Sequence, residues 1–409
     1  MKGRLNPIES NLVDFIVAKR HVLVVLFLML VGVVMRMAGR SFRSPDMLYC
    51  LMPWFDQIKQ GGGLRALAQQ VGDYGLLYQT IISLMTYIDI PSVHQYKMLS
   101  ATFDVALAVM VAMIYRDVKS NVISAGRLDK GERRSLLLLS CLVGGAVWLL
   151  PTVIINSSFW GQCDSMYTFF SIATLYFLRR GAVVRAFVML GLAFSCKLQA
   201  VFFLPFIGTY YLVSKRFSAF NVLISVMLVW LTGIVAFAYG RSLLEPITIY
   251  YNQSIDYKEM YLNFSSAWVI FGNDYAGMKW FSILFTLLLV LAGAYVCLNN
   301  KRFLERTDGY FLVATWFVWT MVLFLPCMHD RYAYPLDVML VLLACINRRY
   351  VKFAALSVAI SLYHYGFYLI ENRMSEPILM ATIYLMAYLY FSWTLYARMK
   401  WSGQQPGDN

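Results

Sequence analysis

The sequence predicts an all-α polytopic membrane protein, a bundle of about 12 transmembrane helices with a long first extracytoplasmic loop that contains amphipathic helices. Three observations lead there. Of the 409 residues, 60% are hydrophobic and only 14% charged, more apolar than a water-soluble core of this size requires. The apolar runs are long and do not alternate, and in lipid the backbone must satisfy its own hydrogen bonds, so helices rather than a barrel are expected. The basic residues cluster in short stretches between the runs, as at Arg133-Arg134, Arg179-Arg180, Lys215-Arg216, Lys301-Arg302 and Arg348-Arg349. That placement gives the net charge of +13 a membrane-sidedness meaning, and no nucleic-acid partner is expected.

Residues 1–20 read as a short basic cytosolic arm. The first apolar run lacks a small-residue cleavage site and is expected to stay as a span over 21–38, with Arg36 near its outer end, able to snorkel or to serve a site. Residues 39–97 form the first outer loop. Within it, Asp46 to Lys59 and Leu64 to Gln70 read as amphipathic helices split by Gly61-Gly62-Gly63, and Leu76 to Ile88 is short enough to be re-entrant or interfacial. Span two, 98–115, leads to the basic loop Arg116 to Arg134, and span three, 135–155, to the outer turn NSSFWGQCDSMY and span four at 164–178. The run 186–213 has basic residues at both ends and reads as two short crossings broken at SCKLQAVFFLPF, with one long tilted helix as the alternative. Span seven, 218–240, precedes an outer loop from Arg241 to Lys279. Spans eight to twelve follow at 280–299, 308–326, 336–346, 351–369 and 376–397, with an outer turn CMHDRYAYP from Cys327 to Pro335.

The chain thus divides into the arm, one transmembrane domain over 21–397, and a cytosolic tail, 398–409. In this arrangement 23 of the 35 Lys and Arg residues lie in cytosolic segments, so both termini are expected inside a multi-pass protein of the cell membrane. Seven cysteines show no paired spacing, so neither a disulfide framework nor a metal site is expected, and no cofactor.

Carboxylates and aromatics gather on the outer side: Asp46, Asp73 and Asp164 beside Trp54 and Trp160, with Lys197, His329 and Arg331 as cations facing the same way. A carboxylate held against a hydroxyl can take its proton, and a departing phosphate needs positive charge. Plainer readings exist. Asp46 in SPD could cap a helix, Asp73 in GDY could make a turn, and Asp164 could cap span four. His329-Asp330-Arg331 could be an ion cluster that fixes a loop, and Trp268 an interface anchor. His364 reads as a packed helix residue, and Asn156, Asn252 and Asn263 each begin a glycosylation sequon. Lys197 resists a plain reading, because an intramembrane lysine is costly.

Taken in order, these stretches resemble the GT-C glycosyltransferases, and within them bacterial relatives of the mannosyltransferases of glycolipid-anchor synthesis. The family's first acidic position falls on Asp46 in SPDMLYCLMPW and its second on Asp73 in GDYGLLYQT, where Gly75 and Leu76 stand in place of prolines. SSFWGQCDSMY is similar to the most specific motif and supplies Trp160, Gln162 and Asp164. The KLQ stretch resembles a K-x-Q element carrying Lys197 and Gln199. YLNFSSAWVIFG is similar to a motif with two asparagines before a tryptophan, matching at Asn263 and Trp268, with Ser266 in the second asparagine's place. CMHDRYAYP resembles an HERY-type motif, with Asp330 in place of Glu.

The resemblance implies an inverting hexosyltransferase whose donor is a polyprenyl-phosphate sugar (mannose, glucose or galactose) and whose acceptor is a cell-envelope glycan or glycolipid, with membrane lipid as its surroundings. It implies Asp46 as catalytic base. Lys197, His329, Arg331 and Tyr332 would hold the donor phosphate. Asp73, Trp160, Gln162, Asp164, Gln199, Asn263 and Trp268 would bind substrate. Sidedness points the same way, since nucleotide sugars are made in the cytosol and a site on the extracytoplasmic face needs a lipid-borne donor. The alternative is a lipid-linked sugar flippase or transporter with Lys197 and the carboxylates along its path; no internal repeat of the transporter kind is evident.

Overall fold

The computed structural model describes residues 6–123, 129–371 and 376–404. The first five residues of the basic arm, residues 124–128 of the loop Arg116 to Arg134 and the last five of the tail lie outside the described residues. The arm expected over 1–20 is helical from Pro7: a single helix, Pro7–Ala38, absorbs both arm and span. Asn6 and Glu9 form a reciprocal capping box, and Pro7 occupies the first turn, where its missing N–H costs nothing.

The protein is an all-α polytopic membrane protein. Among the described residues six helices are long and apolar enough to cross a bilayer, including Pro7–Ala38, Tyr275–Asn299 and Thr307–Phe324. A seventh crossing results if Gly131–Trp148 and Pro151–Trp160, bent by 52°, count as one span. Pro151 explains the bend, because it offers no N–H and clashes with the preceding turn. The expected count of about twelve is not reached on length. Tyr334–Ile346, expected as span ten, has 13 residues, and Asp164–Arg179, expected as span four, has 16. At 1.5 Å per residue the shorter reaches about 20 Å, against a hydrocarbon core of about 30 Å. Leu76–Met85 is likewise a short apolar helix, as the loop reading expected. The run 186–213 breaks where the polar residues predicted. Val183–Cys196 ends at Lys197, which is extended (φ −153°, ψ 141°), and a tight 3-10 turn, Leu198–Phe203, leads into Leu204–Ser214.

The helix Thr307–Phe324 is the core of the bundle, with 89% of its length buried. Trp319 sits at its centre among Phe353, Tyr384 and Phe391. Pro7–Ala38 and Tyr275–Asn299 keep most of their apolar surface on the outside of the bundle, where lipid is the solvent.

Arg36 neither snorkels nor reaches the site. Its guanidinium bonds Asp104 at 2.7 and 3.1 Å, donates to the Trp148 carbonyl at 3.1 Å, and lies 3.4 Å from the centre of the Trp148 ring. Gly32 permits this, since a Cβ there would fall 1.8 Å from the Trp148 indole nitrogen. The pair locks the first span to Ser92–Ile123 and Lys130–Trp148. Removing one partner leaves a buried charge alone, which costs about 3–5 kcal/mol. Asp104→Ala should therefore lower the Tm of detergent-purified protein sharply, and Arg36→Met/Asp104→Leu together should recover most of that loss. A double variant no better than the single one would mean that the pair is not the source of the cost.

Candidate functional site

Five polypeptide segments end at one place. Asp46 follows the first span, Trp160 and Gln162 the bent pair, Lys197 the broken helix, Arg331 the core helix, and Tyr368 the helix Val351–Gly366. Three of these approaches are made by π-helical turns: Met47–Leu51 directly after Asp46, Ile155–Trp160, and Phe367–Glu371. A π turn rotates the side chains that follow it out of register, and such turns recur at functional sites.

The carboxylate of Asp46 is the meeting point. It accepts hydrogen bonds from Trp160 Nε1 at 2.9 Å and Gln162 Nε2 at 2.5 Å, from Arg331 Nη1 at 3.2 Å, and from the Tyr368 hydroxyl. Tyr368 also stacks on Trp160, with ring centres 4.5 Å apart. The Tyr74 hydroxyl donates to Gln162 Oε1 at 2.8 Å, which turns the amide so that its NH2 faces Asp46. Asp46 caps nothing. Ser44 takes that role, accepting from the Met47 N–H at 3.1 Å and donating to the Trp160 carbonyl at 2.7 Å. Gly161 then turns the chain at φ +80°, with Met47 packed so close that a Cβ would fall 2.3 Å from its methyl carbon.

Asp164 is no helix cap either. It is 1% exposed, accepts from Lys197 Nζ at 2.5 Å and Asn156 Nδ2 at 2.8 Å, and lies 3.5 Å from Arg331 Nε. Lys197, Asp164, Arg331 and Asp46 thus form a line of alternating charge. Burial pushes the Asp46 carboxyl up, but Arg331 and the Tyr368, Trp160 and Gln162 hydrogen bonds outweigh it and hold it below the usual carboxylate range.

A cavity of about 500 Å³ opens beside this line. Asp46, Asp73, Gln162, Lys197, Gln199, Arg331 and Tyr332, all singled out in the sequence, are on its wall. Asp73 stands in the expected turn after Gly72 (φ +71°), and its carbonyl accepts from Gln253. Trp160 and Asp164 sit directly behind the wall, against Asp46 and Lys197. Asn263 and Trp268 do not line the cavity. The Trp268 indole donates to the Phe324 carbonyl at 2.7 Å and packs on Phe281 and Phe285, while Asn263 occupies a left-handed position (φ 49°) after the strand Tyr261–Leu262. His329 is set back as well. It pairs in a two-residue parallel ladder, Leu262↔His329, with its ring against Tyr257 and Tyr332. Burial, then Arg331, pulls its pKa down to about 3, so His329 is neutral at physiological pH and is not the cation expected. His364 is packed as expected, meeting Ser265 Oγ at 2.8 Å.

Sequence reading passed over four contributors. Tyr368 lay inside an apolar run that read as span eleven, and Asn156 read as a sequon. Lys279 and Trp280 open the helix Tyr275–Asn299 at the cavity rim; the only signal was a lysine at the outer end of an apolar run. Among the described residues the Lys279 ammonium makes no ion pair, standing 5.0 Å from the Tyr275 ring and 5.5 Å from the Trp280 ring. Among the described residues no three His, Cys, Asp or Glu side chains come together so as to hold a metal ion.

Asp330 has the opposite environment to Asp46. Burial raises its carboxyl to about 8, although Arg331 Nη1 at 3.8 Å opposes the shift. In the unfolded chain this group ionises near 4. Between about 4 and 8 the folded state keeps a proton that the unfolded state has lost, so this residue makes stability fall as pH rises. Asp330→Asn removes that slope, and its Tm advantage over wild type should widen from pH 5 to pH 8. A constant difference would mean that the carboxyl is already ionised in the folded protein.

No model of a known family matches the chain, and no curated protein matches it either.

Proposed function

We propose that the protein is an inverting glycosyltransferase that moves a hexose from a polyprenyl-phosphate carrier to a glycan or glycolipid acceptor, with Asp46 as catalytic base. The observation that carries this reading is one cavity, at the ends of membrane helices, with a fourfold hydrogen-bonded carboxylate and three cations, Lys197, Lys279 and Arg331, on its wall. Asp46 takes the proton of the acceptor hydroxyl as its oxygen bonds to the anomeric carbon. The bond from that carbon to the phosphate oxygen breaks, and polyprenyl phosphate leaves with the electron pair. Arg331 offsets the charge that grows on it, with Lys197 behind it, while Lys279 binds the charge that the donor phosphate already carries. His329, being neutral, offers at most an N–H donor. Trp54, Tyr257 and Trp280 supply aromatic walls for a sugar ring or a prenyl chain.

A carboxylate held below its usual range is a weak base while Arg331 pairs it. A donor phosphate that draws Arg331 toward itself relaxes this restraint, so the basicity of Asp46 rises with donor occupancy. The site end of the bundle is also the end away from Arg179, Arg180, Arg348 and Arg349, and the positive-inside pattern supports the extracytoplasmic face as its side.

The test uses purified protein in liposomes with synthetic short-chain polyprenyl-phosphate hexoses and a panel of envelope acceptors. Wild type should release polyprenyl phosphate in step with hexose transfer, and Asp46→Asn should slow transfer by about 10²–10⁴-fold. Near-normal transfer by Asp46→Asn would remove Asp46 as the base. Movement of lipid-linked sugar across the bilayer without transfer would replace the enzyme by a transporter. Lys279→Ala should raise KM for the donor about tenfold with a smaller change in kcat, the pattern of a lost contact to a phosphate already charged in the ground state.

A further inference from the structure

The helices that end at the Asp46 cavity carry a second cavity at their other ends. Arg306 directly precedes Thr307–Phe324, whereas Arg331 lies beyond that helix's far end. Arg348 and Arg349 precede Val351–Gly366, whereas Tyr368 follows it. At 1.5 Å per residue the 18-residue core helix separates the two cavities by about 27 Å. The second cavity measures about 1040 Å³, and its charged lining is Arg306, Arg348, Arg349, Lys352 and Arg398.

These cations are not equivalent. Asp308 holds Arg398 at 2.9 Å and Arg306 at 3.3 Å, and Arg398 also donates to the Tyr350 hydroxyl at 2.6 Å. Lys352 donates to the Tyr390 hydroxyl at 2.7 Å and lies 3.9 Å from that ring's centre. The guanidinium groups of Arg348 and Arg349 are exposed and make no hydrogen bond or ion pair among the described residues. Five cations thus share one described carboxylate, and the two unspent ones stand at the mouth of a concave surface. Val351 and Trp393, 50% and 64% exposed, flank it with apolar area continuous with the outside of the bundle. A solvated positive-inside cluster needs neither the concavity nor the aromatic walls.

We propose that this cavity binds the headgroup of an anionic membrane lipid, its phosphate held by Arg348 and Arg349 and its acyl chains lying along Val351 and Trp393. Planar guanidinium forks suit a phosphate diester, and Trp and Tyr side chains suit the level of the headgroups. The proposal stands whatever the reaction at the Asp46 cavity.

Delipidated full-length protein in detergent would be titrated with phosphatidylglycerol, with phosphatidylcholine and with inorganic phosphate, following Tm. Phosphatidylglycerol should raise Tm saturably while the other two do not. Arg348→Gln/Arg349→Gln should weaken the phosphatidylglycerol response at least tenfold, and Arg348→Lys/Arg349→Lys, which keeps the charge and loses the fork, should weaken it by less. Equal Tm values for all three proteins in phosphatidylcholine are expected if the fold is intact. Equal protection by phosphatidylcholine would overturn the headgroup assignment. Equal protection by inorganic phosphate would overturn the lipid as its source. A Gln variant that titrates like wild type would overturn the role of the two arginines.

Discussion

The site rests on a line of alternating charge: Lys197, Asp164, Arg331, Asp46. All four are largely withdrawn from solvent, each 17% exposed or less. Any one of them alone would carry a desolvation cost that the surrounding helices could not offset. Together they sum to zero and neutralise one another over short distances. This interdependence sets the geometry. The first loop, the bent pair, the broken helix and the loop after the core helix must all reach one point, because each brings a charge that only the others satisfy.

Irregular backbone is how they get there. A regular helix places side chains at fixed angles around its axis, and none of those angles need point at a shared centre. The π turns next to Asp46, Trp160 and Tyr368, the left-handed Gly161 and the extended Lys197 each alter that angle locally. In a bilayer such departures are tolerated only where protein or a cavity satisfies the freed backbone, so their coincidence at one cavity is a constraint as well as a signature. The regular, buried helix Thr307–Phe324 supplies the rigidity against which these turns are held.

Two carboxylates beside one guanidinium show how environment assigns state. Asp46 faces four donors, the Arg331 guanidinium among them, and stays ionised; Asp330, one residue from that same guanidinium, is buried with poorer compensation and keeps its proton up to about 8. His329 is turned into a neutral group by the same burial. A motif read as three charges in a row is therefore, in the folded protein near neutral pH, one charge with two uncharged neighbours.

The sequence by itself determined the membrane character of the chain, favoured a break at Lys197 over one long helix, and singled out most of the charged residues on the cavity wall. Apolar runs are a local property that lipid reads directly, and a lysine amid such a run is costly unless its charge finds a partner, which a break can supply. The residues of SSFWGQCDS and HDRY were legible as chemistry because polar and aromatic side chains between apolar runs have few other reasons to gather. Tertiary structure decided what no local pattern encodes. It paired Asp46 with Arg331 across 285 positions and brought Tyr368 out of an apolar run to the same carboxylate. It turned Trp268 and Asn263 away from the cavity, toward an aromatic cluster and a short strand. Charge pairing acts through space, and only the folded chain brings its partners within reach.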